Sequence, residues 1–225
     1  MTGERLKIKV CGMRDPYNIS AVAAMHPDYM GFIFYPPSPR NCSGLNPDFV
    51  KLLPADIISV AVTVDMSEDE SISLVEEYGF KAVQLHGNES PELCGRLIDR
   101  GLTVLKAISI KDIESLRRVN DYEGAVNLFV FDTATPSKGG SGLKFNWDLL
   151  QKAEINTDFL LSGGIGPEDK NKILGFDHPH FIGVDINSRF EVAPGIKDVG
   201  LIKRFMNFEL NSNLYEIQGD NEVVD

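Results

Sequence analysis

Apolar residues recur along the chain in eight short runs, at residues 6–11, 29–35, 57–64, 82–86, 102–110, 127–132, 158–162 and 181–186. Most are near-continuous Val, Ile, Leu and Phe rather than clean alternations, the pattern of strands covered on both faces in a parallel sheet. Helix punctuation lies between them. Asp15-Pro16 offers an N-cap and a proline at the first helical position, ahead of Ile19, Val22 and Ala23. Ser67 with Glu70 three residues on is a capping-box pattern, and Ser90-Pro91 opens a segment with Leu93, Leu97 and Ile98 at helical spacing. Phe145 or Asn146 leads into a helix at Trp147, and Gly166-Pro167 opens the seventh. The second, near residues 47–53, looks short, and a last helix over residues 197–208 closes the pattern.

Strict alternation of strand and helix implies βαβ units and a parallel sheet. Eight such units without a midpoint linker predict a single closed (β/α)8 barrel over residues 1–210, with an acidic tail over residues 211–225 expected to fray. An open eight-stranded sheet is the alternative, but no Gly-x-Gly-x-x-Gly follows the first run.

Charge narrows the partners. With 22 basic and 33 acidic residues the net charge is −11, which argues against nucleic acid or an anionic membrane surface as the main partner. No apolar run approaches the roughly 20 residues that span a bilayer, and no secretory signal is visible. The three cysteines, Cys11, Cys42 and Cys94, have no metal-site spacing and are expected to be free thiols in a reducing cytoplasm, in a monomer or homodimer.

Candidate chemistry gathers where barrel enzymes keep it, at the C-terminal ends of strands. In the first run Lys7, Lys9 and Cys11 share one face, so an ammonium stands near a thiol and is expected to enrich the thiolate; a buried structural cysteine is the bland alternative. Asp132 ends an apolar run, where desolvation would suit a carboxyl to donate a proton. Asp185, near the top of the eighth run, is the natural counter-charge for Lys9. Ser38-Pro39 stiffens a loop that presents Arg40, a side chain suited to carboxylates. Gln84 and His86 end the fourth run, His86 reading as a loop or rim residue rather than a base. Glycine loops at Gly139-Gly140 and Gly163-Gly164, with Asn187-Ser188 opening a short extra helix, predict a phosphate site. Cys42, Cys94 and Trp147 read as packing residues, and His178-Pro179-His180 has no third ligand for a metal.

Taken in order, several segments resemble the phosphoribosylanthranilate isomerase family of tryptophan biosynthesis. They are Lys9-Val10-Cys11-Gly12-Met13, Gly31-Phe32-Ile33-Phe34 with Ser38-Pro39-Arg40, Val83-Gln84-Leu85-His86-Gly87, Phe131-Asp132-Thr133, Gly139-Gly140-Ser141-Gly142 with Phe145 and Trp147, Leu161-Ser162-Gly163-Gly164, Val184-Asp185 with Asn187-Ser188, Glu191, and Pro194-Gly195 with Lys197-Asp198. The resemblance implies a (β/α)8 barrel and a cofactor-free, metal-free Amadori rearrangement of a phosphorylated small molecule. It implies Cys11 as general base, Asp132 as general acid, and Arg40 on the anthranilate carboxylate. Lys9, Gln84, His86 and Asp185 would line the substrate site, and Gly139, Gly140, Gly163, Gly164, Asn187 and Ser188 the phosphate. One departure stands out: Arg189 replaces the glycine usual after strand 8, narrowing the loop or adding a cation. Other phosphate-binding barrels, indole-3-glycerol-phosphate synthase and the histidine-pathway isomerase, and a non-catalytic barrel remain as alternatives. Cys11 at the end of the first strand speaks against both enzymes.

Overall fold

A computed structural model describes residues 5–133 and 144–215, with no side-chain description beyond residue 207. Eight parallel strands close on themselves in sequence order: β1 (Lys7–Cys11), β2 (Tyr29–Phe34), β3 (Ile58–Thr63), β4 (Ala82–Leu85), β5 (Thr103–Ile110), β6 (Leu128–Thr133), β7 (Phe159–Leu161) and β8 (Phe181–Ile186). Closure leaves no edge of the barrel unpaired, so all eight strands are bonded on both sides and most of their residues are buried. That is the physical reason the runs are continuous rather than alternating.

The two faces of each strand serve different layers. Val60, Val62, Ala82, Leu105, Ala107, Leu128, Val130 and Leu160 form one cluster with Cys11 and Tyr29, filling the barrel. Their sequence neighbours, such as Ile8, Val10, Val104, Ile108, Phe129 and Phe131, belong to the layer against the helices.

The helices are α1 (Pro16–Ala23), α2 (Asp48–Lys51), α3 (Glu68–Tyr78), α4 (Pro91–Asp99), α5 (Ile113–Tyr122), α6 (Asp148–Gln151), α7 (Lys170–Leu174) and α8 (Val199–Tyr215). Their starts follow the capping chemistry. Asp15 accepts from the Asn18 amide at 2.8 Å, Ser90 from that of Leu93 at 3.3 Å, and Ser67 and Glu70 close a reciprocal box. Each such cap contributes about 1 kcal/mol. The second helix is short, as its sequence predicts, and so is α6. The last helix runs on to Tyr215, into the segment expected to fray from residue 211; residues 216–225 of that segment lie outside the described residues.

After β8 the sequence predicts a short helix. A three-residue 3-10 turn, Ser188–Phe190, is present, and it leads into a small antiparallel hairpin of β9 (Glu191–Ala193) and β10 (Ile196–Lys197). That hairpin carries no signal in the periodicity, because strands of three and two residues are too short to show one.

Candidate active site

One cavity of about 310 Å³ opens where the strands end. Cys11, Gln84, His86, Asp132, Ser162 and Asp185 line it together with Arg40, Asn187, Ser188 and the Gly163-Gly164 loop. Residues from β1, β4, β6, β7 and β8, scattered through the chain, are thus brought to a single rim. Gly139 and Gly140 lie outside the described residues.

The floor is built by strand register. Lys9 on β1 stands directly opposite Asp185 on β8, and its Nζ donates to Asp185 Oδ1 at 3.1 Å, the pairing expected from the sequence. Ser162 Oγ donates to the other carboxylate oxygen at 3.4 Å. Lys9 has no solvent exposure and is not among the residues that line the cavity. It sits beneath the site and sets charge there. Burial pushes the Lys9 ammonium down, but Asp185 and Cys11 together outweigh burial and hold it above its ordinary value.

Cys11 stands opposite Gly31 on β2. A Cβ at position 31 would come 2.8 Å from Cys11 Sγ and 3.1 Å from Lys9 Nζ, so a glycine there makes room for both the thiol and the ammonium. Lys9 pulls Cys11 towards the thiolate, as expected, but depth works against it. Burial raises the Cys11 thiol above its ordinary 9.0, and the opposing pull of Lys9 and Lys197 does not offset it. Sequence shows which face Cys11 takes but not how far water is excluded from it.

Asp132 takes the opposite side of the floor. Its Oδ1 accepts from the Thr133 amide at 2.8 Å, and its Oδ2 lies 3.4 Å from His86 Nε2. His86 is therefore more than a rim residue. Strands β4 and β6 are separated by β5, and barrel closure alone brings the imidazole to the carboxylate. His86 Nδ1 in turn lies 3.4 Å from Gln84 Nε2, whose Oε1 is buried without a partner. Gly163, at φ 81°, lets the β7 loop close over this carboxylate: a Cβ there would meet the Thr133 amide and come 2.9 Å from Asp132 Oδ1.

Arg40 reaches the mouth because its loop folds back onto β2, Asn41 bridging to Ile33 and the Arg14 guanidinium donating to the Pro39 carbonyl at 2.8 Å. Its guanidinium is held side-on by Glu191: Nε donates at 2.9 and 3.1 Å and Nη2 at 2.7 Å. Lys197 Nζ donates at 2.7 Å to Glu191 and at 2.7 Å to Asn187 Oδ1. Burial pushes the Glu191 carboxyl up, but Arg40 and Lys197 together keep it below the usual carboxylate range. Burial also lowers Lys197, with Glu191 opposing. Sequence reading named Glu191 and Lys197 only as parts of a motif; the hairpin they sit on gives them their role. Asn187 Oδ1 is engaged by Lys197, while Ser188 and the Gly163-Gly164 loop line the cavity beside it. Arg189 adds no free cation to that loop, since its Nη2 donates to Glu168 at 2.7 Å.

Among the described residues no cluster of three or more His, Cys, Asp or Glu could hold a metal, and no helix is long and apolar enough to cross a membrane. Cys42 and Cys94 are buried packing thiols, pushed up to about 12 and about 11 by burial. Trp147 is core, with Lys172 over its ring.

Fold and cavity define a (β/α)8 barrel enzyme that carries acid–base groups at its C-terminal rim. Residues 8–208 match the family model described as N-(5'phosphoribosyl)anthranilate (PRA) isomerase. A relative named N-(5'-phosphoribosyl)anthranilate isomerase, from Phocaeicola vulgatus, is 42% identical over 200 residues, covering 89% of this chain and 96% of its own. The crystal structure of phosphoribosyl anthranilate isomerase from Thermotoga maritima is 28% identical with a TM-score of 0.79, covering 92% of this chain and 99% of that one. A further structure of such an enzyme, in complex with reduced 1-(o-carboxyphenylamino)-1-deoxyribulose 5-phosphate, is 27% identical with a TM-score of 0.79, covering 92% of this chain and 99% of that one. The chain belongs to the N-(5'-phosphoribosyl)anthranilate isomerase family, and its activity is the isomerisation for which that family is named, a step of tryptophan biosynthesis.

Proposed function

We propose that the chain performs this isomerisation as an acid–base Amadori rearrangement, with Asp132 as the acid and Cys11 as the base. Asp132 protonates the furanose ring oxygen of N-(5-phosphoribosyl)anthranilate, and the ring opens to a protonated Schiff base. Cys11 thiolate then removes the proton on C2′. The C2′ electrons move towards the iminium, giving an enolamine that becomes the ketone 1-(2-carboxyphenylamino)-1-deoxyribulose 5-phosphate. The iminium is the electron sink, so the steps need no added group.

One observation carries this reading: a thiol and a carboxylate from non-adjacent strands line the same cavity, each held by its own polar partner. The raised thiol fits the order of events. Burial opposes the thiolate while Lys9 and Lys197 favour it, and the positive charge of the Schiff base adds to their pull, the thiol proton passing to water before the C2′ proton is taken. His86 orients the acid through Oδ2. Gln84 Oε1, buried and unpartnered on the cavity wall, accepts from a substrate hydroxyl. Arg40 offers the substrate carboxylate the end of its fork that Glu191 leaves, around Nη1. The Gly163-Gly164 amides and Ser188 take the phosphate, as the loops after strands 7 and 8 do in other barrels. The related structure with a bound phosphorylated product analogue supports a ligand of this class. Free thiols at Cys11, Cys42 and Cys94 fit a cytoplasmic enzyme.

Loss of substrate fluorescence on turnover tests the assignment. Cys11→Ser and Asp132→Asn should each lower kcat by about two orders of magnitude or more, the scale of losing a general base or acid. Near-normal turnover by Cys11→Ser would end the base assignment, and inactive wild type that still binds a product analogue would point to a barrel that only binds.

A further inference from the structure

The proposed steps leave one buried charged pair unused. Lys106, in the middle of β5, and Glu89, in the turn after β4, are withdrawn from water with Nζ and Oε2 2.8 Å apart. Burying two charges costs several kcal/mol per ion, and apolar side chains of similar volume usually pack as well or better. Packing alone does not account for the pair.

Its hydrogen bonds converge on one short stretch of backbone. Lys106 Nζ donates to the carbonyls of Leu85 at 3.2 Å and Gly87 at 2.9 Å, the residues on either side of His86. The Glu89 carboxylate accepts from the Gly87 amide at 2.9 and 3.1 Å and from the Asp65 amide at 2.8 Å. Tyr122 on α5 donates its hydroxyl to the Glu89 carbonyl at 2.7 Å, and its ring lies 5.5 Å from the ammonium. His86 itself is tied by its amide, to the Thr63 carbonyl at 2.8 Å, and by its ring, to Gln84 and Asp132. Neither Lys106 nor Glu89 lines the cavity.

We infer that the Lys106–Glu89 pair is a positioning device for the reaction: it fixes the backbone on both flanks of His86 so that the imidazole stays against the Asp132 carboxylate. Both residues act through His86 and touch no reacting atom. The inference rests on the reading of Asp132 as the acid. Carbonyls at positions 85 and 87 point at one ammonium, so the turn cannot rotate without abandoning a buried charge. A neutral side chain at position 106 would take the ammonium from those carbonyls and leave Glu89 without its counter-charge, and the turn free to relax.

The test is a cycle between Lys106→Met/Glu89→Leu and His86→Gln, followed by steady-state kinetics and thermal melting. The paired apolar replacement is expected to stay folded, with kcat reduced about tenfold, the scale of a displaced catalytic group, and KM little changed. In the His86→Gln background the same replacement should cost nothing further, because nothing remains to position. Wild-type kcat in the replaced protein, or an equal fractional loss in both backgrounds, would overturn the inference. Should the replaced protein not fold, Tyr122→Phe removes one uncharged bond to the turn. It should lower kcat about twofold, within the scale of one hydrogen bond, again only when His86 is present; equal loss in both backgrounds overturns it. Asp132→Asn separates the two readings. Unchanged kcat there fails the acid assignment, whereas a large loss there with no coupling to His86 fails the positioning inference alone.

Discussion

Two buried lysine–carboxylate pairs stand on opposite sides of the barrel and do different things. Lys9 and Asp185 face inward, opposite each other on β1 and β8, and form the charged floor under Cys11. Lys106 and Glu89 sit behind the wall, towards α5, and brace the turn that carries His86. The first pair acts through its field on the proton affinity of neighbours, Cys11 among them. The second acts through geometry. Two charges out of water are costly in either place, and each pair stands next to a group that lines the cavity.

The largest effect that would separate them is Lys9→Met. It strands the Asp185 carboxylate beneath the thiol, and breaking a buried pair by removing one partner costs about 3–5 kcal/mol. Chemical denaturation should show that loss, and kcat should fall about a hundredfold or more, as when a base loses its tuning. A variant that melts like wild type would mean that Asp185 is satisfied without Lys9. Next comes Gly31→Ala, which presses a methyl group against Cys11 Sγ and Lys9 Nζ. Displacing a base by part of an ångström should cost roughly tenfold in kcat; unaltered kinetics would show that the floor has slack.

A smaller and more specific effect is read by alkylation of Cys11 across pH. Burial raises the thiol above 9.0, so the thiolate is the minor form below that pH. The labelling rate should therefore climb with pH through a midpoint above 9.0. In a Lys9 variant the midpoint should move higher still, because Lys9 favours the thiolate. A midpoint below 9.0 in wild type would show that the ammonium outweighs burial after all. The smallest effect is a control away from both pairs: Ser67→Ala removes the α3 cap, costing about 1 kcal/mol in stability with kcat unchanged.

Legibility followed the same division. The Lys9–Asp185 pair could be read from sequence because both lie inside regular strands, where period two assigns a face and closure makes the first and last strands neighbours. Cys11 and Asp132 were legible as polar ends of apolar runs. The contact between His86 and Asp132 was not, since it spans β5 and needs the curvature of the barrel. Lys106 does leave a signal, a lysine in the middle of an apolar run, but its partner comes from a turn whose path no periodicity encodes. Arg40 was visible as a loop cation. Glu191, which holds its orientation, depends on a hairpin too short to announce itself. The protonation of Cys11 depends on depth, which a sequence does not carry.

The division of labour between Cys11 and Asp132 is the central claim, and a substrate carrying deuterium at C2′ tests it most directly. If Cys11 removes that proton, Cys11→Ser should make its abstraction rate-limiting and give a primary isotope effect on kcat, whereas Asp132→Asn, slowed at ring opening, should show almost none. A large isotope effect in the Asp132 variant with none in the Cys11 variant would contradict the account.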